Sequence, residues 1–395
     1  MPWSETTPMD QKMLFLVDCI NDSIPISESC RRYGISRKTG YKWIKRYVEH
    51  GPEGIVDRSR RPHHVVRSTP PETVERILDA RGHHPDWGAK KILWLLGRKF
   101  PEMALPPRST ICDILKRSGL VTSPRRRRKL GHPGRPTTPM TEPNDVWTAD
   151  YKGQFKTGDG IYCYPLTIAD GCSRFLFDVR GFLSPSHENT QPVFERLFRE
   201  YGLPRFIRTD NGNPFATTAI GRLSQLSVWW VRLGIYPELI ELGRPDQNGQ
   251  HERMHRTLKA GTARPAAADN QAQQIRFDAF RQAYNHERPH EALGQQLPAS
   301  LYKPSDRPFP NRLPQLEYPP HFEVRLVSEN GGIRWRSKWV NVSHVLGGEY
   351  VGLEEIDNGI WEVHFGPVRL GRLDERDSKI EDDRGRKSRS DRSNV

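Results

Sequence analysis

The sequence predicts a multidomain chain, all-α at its N-terminal end, α/β in its middle and antiparallel β near its C-terminal end. Three observations predict it. Apolar residues recur at helical spacing through the first 120 residues, strand-like and helical runs alternate through the middle, and 322–373 shifts to a period of two. A chain of 395 residues is long enough for two to four domains, and 35% hydrophobic content permits a sizeable core. The net charge of +13, with a pI of about 9.6, favours a polyanionic partner such as nucleic acid. Five cysteines (Cys19, Cys30, Cys112, Cys163, Cys172) are odd in number and form no close pair, which argues against a disulfide framework or a zinc knuckle and fits a reducing cytoplasm. The opening MPWSETTPMDQ lacks the basic and apolar regions of a signal peptide, and no apolar run is long enough to span a membrane.

At 10–20, Met13, Leu14, Val17 and Ile20 have helical spacing; 26–33 forms a second short helix, broken by Gly34. Ser36 caps a third, 37–48, whose outer side carries Arg37, Lys38, Tyr41, Lys42, Lys45 and Arg46 while Trp43, Ile44 and Tyr47 turn inward. Two short helices, a glycine-containing turn and a basic helix make a helix-turn-helix suited to the major groove. Beyond it, Arg58, Arg60 and Arg61 are placed to track phosphates or a minor groove. We set this first domain at 1–60.

A second helical module follows at 61–121, with helices at 72–81, 89–100 and 109–118, the last capped by Ser109 or Thr110. His63, His64, His83 and His84 lack the paired cysteines a zinc module would need, so they are surface or turn residues. Residues 122–140 form a basic linker in which Arg125, Arg126, Arg127 and Arg128 can serve as a DNA-tracking arm.

The third domain spans 141–303. DVWTADYKGQF alternates apolar and polar residues as a strand does, with Asp150 on it, and FIRTDNG is a short strand running through Asp210 into an Asn-Gly turn. Strand-like IYCYPLTIAD and RFLFDVRGFL and the helical NTQPVFERLFREYG lie between them. At 243–259, GRPDQNGQHERMHRTLK begins with turn residues, offers Asp246 or Asn248 as a cap and continues as a helix. There Glu252, Arg256 and Lys259 share one face, with Met254 and Leu258 on the opposite one. A carboxylate in line with two cations suits a metal-dependent enzyme acting on a polyanion.

The strands of 315–373 alternate with Gly-Gly and Asn-Gly turns and predict a small antiparallel β-barrel, with Arg334, Arg336 and Lys338 alternating on one strand as a candidate basic face. Residues 374–395 are charged, almost free of apolar side chains and expected to be disordered.

Taken together, WTADYKG, RTDNGNPF and RPDQNGQHERMHRTLK resemble the three motifs of the DDE integrase-core transposases, whose core is ribonuclease-H-like. YNHERPHEALGQQLPASLY is similar to the segment that closes this core in bacterial insertion-sequence transposases, and GPEGIVDRSRRPHH and HHPDWGAKKILWLLGRKF resemble their N-terminal segments. The resemblance implies that Asp150, Asp210 and Glu252 are the catalytic and metal-holding acids, and that a barrel of the Src-homology-3 type follows the core. The second interval, from Asp210 to Glu252, is a few residues longer than is common in retroviral integrases, which suggests a small insertion around 229–240.

The chemistry follows from charge. Two carboxylates about 4 Å apart repel by about 4 kcal/mol at an effective dielectric near 20. Three converging acids therefore call for cations, and oxygen-only ligands suit two magnesium or manganese ions. Two such ions activate a water or 3′-hydroxyl and stabilise the leaving oxygen at phosphorus. The reading is a DNA transposase that binds transposon ends, hydrolyses a phosphodiester there and transfers the strand into target DNA. Arg256 and Lys259 would hold terminal phosphates; Asn211 shapes the loop after the second acid, and Asn248 lets backbone approach DNA. Synapsis of two ends implies a homo-oligomer, and the setting is cytoplasmic, on the bacterial nucleoid. Two rivals stand beside it: a catalytically silent DNA-binding regulator derived from a transposase, and a zinc metalloprotease through His251-Glu252-x-x-His255.

Overall fold

The computed structural model describes residues 7–21, 24–57, 69–121, 138–151, 153–241 and 245–388. The chain divides into two compact units, Met1–Pro71 and Glu72–Val395.

In the first unit, α1 (Pro8–Ile20) starts at a capping box. The Thr7 hydroxyl accepts the Asp10 N–H at 3.2 Å, and the Asp10 carboxylate accepts the Thr7 N–H at 2.8 Å. α2 (Ile26–Arg32) and α3 (Arg37–His50) follow, the latter capped by Ser36 as its sequence predicts. Phe15, Leu16, Cys30, Trp43 and Ile55 form the core. α3 can approach so closely because residue 40 is glycine: a Cβ there would lie 2.6 Å from the Cys30 sulfur and 3.0 Å from the Phe15 ring.

The second unit opens with α4 (Pro71–His83), α5 (Ala89–Lys99) and α6 (Arg108–Arg117), packed around Ile77, Trp87, Ile92, Leu96, Ile111 and Leu115. α6 starts a residue earlier than its serine and threonine suggest. Its N-cap is Pro107, which has no side-chain hydrogen bond, so neither Ser109 nor Thr110 caps it.

The central sheet contains β1 (Val146–Tyr151), the short β2 (Phe155–Lys156), β3 (Tyr162–Asp170), β4 (Leu176–Phe182), β5 (Phe206–Thr209) and β6 (Tyr236–Leu239). β1 lies between antiparallel β3 and parallel β5; β4 pairs with β3 and β6 with β5. Helix α7 (His187–Tyr201) joins β4 to β5, and α8 (Gln225–Arg232) joins β5 to β6. Both pack on one sheet face, where Phe194, Leu197, Phe198, Leu226 and Trp230 meet Trp147, Ala149, Ile168 and Ile207. The opposite face takes α9 (Gly249–Thr262) and α10 (Asn270–His286), whose Met254, Leu258, Phe277 and Tyr284 meet Cys163, Ala169, Leu176 and Val179. A short α11 (Pro298–Leu301) closes this region. A sheet covered on both faces explains the nearly continuous apolar run of β3. The suggested insertion around 229–240 is no added loop: it contains the end of α8 and the edge strand β6.

Beyond it, β7 (Glu323–Leu326), β8 (Gly332–Trp335), β9 (Lys338–Asn341), β10 (Tyr350–Asp357), β11 (Ile360–Phe365), β12 (Val368–Asp374) and β13 (Lys379–Glu381) are all antiparallel. They form a five-stranded sheet, ordered β13-β12-β11-β10-β7, and a separate β8–β9 hairpin. The two share a core with Val228 and Val231 of α8. Among the described residues the pairing closes no barrel. Two further expectations are corrected. Arg334, Arg336 and Lys338 do not alternate on one strand, because Arg336 and Ser337, both at positive φ (43° and 67°), are the turn between β8 and β9. Part of the charged tail is folded: Ile380, on β13, is wholly buried, and its N–H and C=O bond the Ser388 hydroxyl and N–H at 3.0 and 2.7 Å. No helix among the described residues is long and apolar enough to cross a membrane.

Candidate active site

The site is built where parallel strands end. β1 and β5 pair in register from Val146↔Phe206 to Ala149↔Thr209. Asp150 and Asp210 are the next residues on each, at the carboxyl ends of neighbouring strands. Trp147 and Ala149 belong to the α7–α8 face, so strand parity turns Thr148 and Asp150 toward α9. The Asp150 side chain is 13% exposed, and its Oδ2 lies 3.6 Å from His255 Nδ1 on α9. Asp210 accepts the Gly212 N–H at 3.0 Å, a local turn made by its own side chain bonding the main chain two residues on. Beside them, burial pushes the Tyr151 phenol up to about 12, and its hydroxyl lies 2.8 Å from that of Thr190.

Glu252 stands in the first turn of α9 and is exposed, as are Arg256 and Lys259, while Met254 and Leu258 are buried. The two faces divide as the helical period requires. Two acids thus come to adjacent strand ends, and the third sits on the outer side of a helix packed over the same sheet face. Among the described residues no three His, Cys, Asp or Glu side chains are gathered closely enough to hold one ion.

The feature that the sequence left unread is the rest of the buried face of α9. His251 and His255 are both 2% exposed. Their Nε2 atoms lie 2.6 and 2.5 Å from the hydroxyl of Thr167 on β3, and His251 Nδ1 lies 2.9 Å from that of Thr148. The signal was available: once Met254 and Leu258 face inward, the i, i+3, i+4, i+7 stripe completes itself with His251 and His255. This engagement also answers the zinc-protease reading. Each Nε2 that would bind zinc is hydrogen-bonded in the core, and Glu252 faces the other way.

Of the DNA-contact candidates, Arg37, Lys38, Tyr41, Lys42 and Lys45 are exposed on α3. Arg46 is half-buried, with its guanidinium 5.2 Å from the Trp43 ring centre. Asn211 turns its amide inward, donating to the Ile240 carbonyl at 2.9 Å. Asn248 is buried, and although it occupies the N-cap of α9 its side chain makes no cap hydrogen bond. Arg58, Arg60, Arg61, Arg125, Arg126, Arg127 and Arg128 lie outside the described residues.

Residues 140–245 and 233–298 each match an integrase core domain. The chain contains an integrase core domain. It also matches a helix-turn-helix domain over 14–63 and a homeodomain-like domain over 39–115. It is 25% identical over 289 residues to an uncharacterized 31.7 kDa protein of insertion element IS407 from Burkholderia multivorans, covering 72% of this chain and 94% of that protein. A similar protein of element IS476, from Xanthomonas euvesicatoria, is 26% identical over 57% of this chain and 63% of its own length. The Pol polyprotein of feline endogenous virus ECE1 is 32% identical over 118 residues, 30% of this chain and 10% of the polyprotein. The magnesium-bound catalytic core of HTLV-2 integrase superposes on 41% of this chain and 97% of its own, at 16% identity and a TM-score of 0.33, too loosely for anything to rest on it. The domains of the chain are therefore those of a transposase or integrase, with helix-turn-helix modules of the DNA-binding type.

Proposed function

We propose that the protein is a transposase that binds the ends of its element, cleaves a phosphodiester there and joins the freed strand to target DNA. The observation that carries this reading is the pairing of Asp150 and Asp210 at adjacent parallel strand ends, under the helix that bears Glu252. Their carboxylates, hard oxygen donors, are the donor set magnesium or manganese prefers, and Glu252 would complete it. When bound, two such ions supply Lewis acidity and a lowered pKa for an attacking water or 3′-hydroxyl.

This chain's own residues do the rest. Asp150 and Asp210 present oxygens from a rigid sheet, and Arg256 and Lys259, on the exposed side of α9 with Glu252, hold phosphates next to the reacting bond. The α3 cations engage duplex DNA through the helix-turn-helix, and synapsis of two ends requires more than one copy. We assign end binding to 1–60 and 61–121, chemistry to 141–303, and to 315–373 a barrel-like accessory role built on the core shared by its sheet and hairpin.

The test uses duplexes from the DNA flanking the gene, with manganese or magnesium. Asp150→Asn, Asp210→Asn and Glu252→Gln are each expected to lose strand joining while retarding the end duplex in a gel as wild type does. Undiminished joining by any one of them removes that residue from the site. End binding without joining by the wild-type chain identifies a DNA-binding regulator instead.

A further inference from the structure

We infer that Thr167, His251 and His255 form a positioning device that sets Asp150 and Glu252 relative to one another. The inference rests on the assignment of those two acids to the active site. Thr167 is directly opposite Asp150 in the β1–β3 ladder, so both side chains leave the same sheet face. Its hydroxyl is wholly buried and donates to the Asp150 carbonyl at 3.1 Å. A hydroxyl has one proton and two lone pairs. With the proton on that carbonyl, both lone pairs are left for His251 Nε2 at 2.6 Å and His255 Nε2 at 2.5 Å, and the network assigns a hydrogen to each Nε2.

One oxygen therefore holds three partners. The first is the main chain of Asp150. The second is the residue immediately before Glu252. The third is a ring, one turn further along α9, whose Nδ1 lies 3.6 Å from the Asp150 carboxylate. Thr148, two residues before Asp150, has its hydroxyl 2.9 Å from the remaining nitrogen of His251 and 3.2 Å from the Ala169 carbonyl, two acceptors that share its one proton. Both threonines are β-branched and stiff at χ1, and both rings are buried. A rotation or slide of α9 that moved Glu252 would break hydrogen bonds on either side of Asp150, in an interior where unsatisfied polar groups are expensive. An apolar pair at 251 and 255 would pack α9 on the sheet without fixing its rotation. The directional bonds fix it. None of the three residues is a catalytic residue; each acts through the acids it holds.

The test compares Thr167→Val, which keeps the shape and loses the hydroxyl, with Thr167→Ser, which keeps the hydroxyl. It likewise compares His255→Ala with His255→Gln, whose amide N–H replaces Nε2–H. The full chain is titrated with Mn2+ alone, reading the rise in melting temperature, and strand joining is then measured as kcat and KM for the end duplex. Thr167→Val and His255→Ala are expected to raise the Mn2+ midpoint and lower kcat by about 10- to 100-fold, as loss of groups that orient metal ligands does, with KM unchanged. Thr167→Ser and His255→Gln restore both. A purely structural role would lower the melting temperature and leave the Mn2+ midpoint and kcat alone, and that result overturns the inference. Where Thr167→Val fails to fold, the His255 pair decides by the same readouts. Asp150→Asn is run beside them. If it joins DNA normally, the site assignment falls and this inference with it. If it is inactive while Thr167→Val keeps the wild-type kcat and Mn2+ midpoint, this inference falls alone.

Discussion

The two faces of α9 differ in what they are for, and only one shows that in its residue types. The outer face has an acid and two bases in line, a pattern that means little in a core and a good deal beside DNA. The inner face mixes Met254 and Leu258 with His251 and His255, and its histidines serve the sheet rather than a solvent-borne ligand. The same two histidines, read as letters, spell a zinc motif. Their burial and their shared threonine give the motif its structural meaning.

The contrast sharpens when each face is altered alone. The largest effect belongs outside: Glu252→Gln is expected to take joining to background while unfolding free energy stays within about 0.5 kcal/mol, as for an exposed substitution, measured by urea titration. A loss of several kcal/mol would mean that Glu252 is structural. Inside, Leu258→Ala, at 3% exposure, is expected to cost about 2–5 kcal/mol of stability and to leave joining measurable at low temperature. Complete inactivity of folded Leu258→Ala would blur the division of labour. Arg256→Ala and Lys259→Ala, outside again, are each expected to reduce the salt dependence of DNA binding by about one unit of slope and to weaken all duplexes alike. Sequence-selective loss would instead make either residue a base reader.

A titration elsewhere in this unit gives an effect that appears only on acidification. Burial, with Lys91 and Arg288 nearby, holds the His290 imidazole down to about 3. The folded chain then binds fewer protons than the unfolded one between about 6.5 and about 3, so stability is lost as pH falls through that window and is fully present above it. His290→Asn should flatten this part of the pH–stability curve. An unchanged slope would assign it to other groups.

Much of this was legible in the sequence because local and tertiary preferences agree. α3 and α7 have side-chain caps at Ser36 and Ser186, and their apolar stripes match what is buried. α1, capped by Thr7, is a helix as its spacing predicts, but it buries Phe15 and Leu16 while the expected stripe of Met13, Leu14, Val17 and Ile20 is exposed. β1 and β5 could be read because β-branched and aromatic residues end at an acid and a turn. What escaped had a different physics. The Arg336–Ser337 turn adopts the positive φ values of a tight hairpin without asparagine or glycine, so WRSKW passes for a continuous strand. β13 hides in a charged tail because one inward residue, Ile380, is enough to anchor an edge strand whose neighbours face water. The histidines escaped because polar residues on a buried face are explained only by partners distant in sequence, here Thr148 and Thr167.

The central claim is that three acids distant along the chain act on shared ions, and the most direct measurement is the anomalous scattering of manganese in the full chain bound to an end duplex. The account predicts peaks within bonding distance of the carboxylates of Asp150, Asp210 and Glu252 together. Manganese held by the two aspartates with Glu252 still turned to solvent, or bound elsewhere altogether, would contradict it.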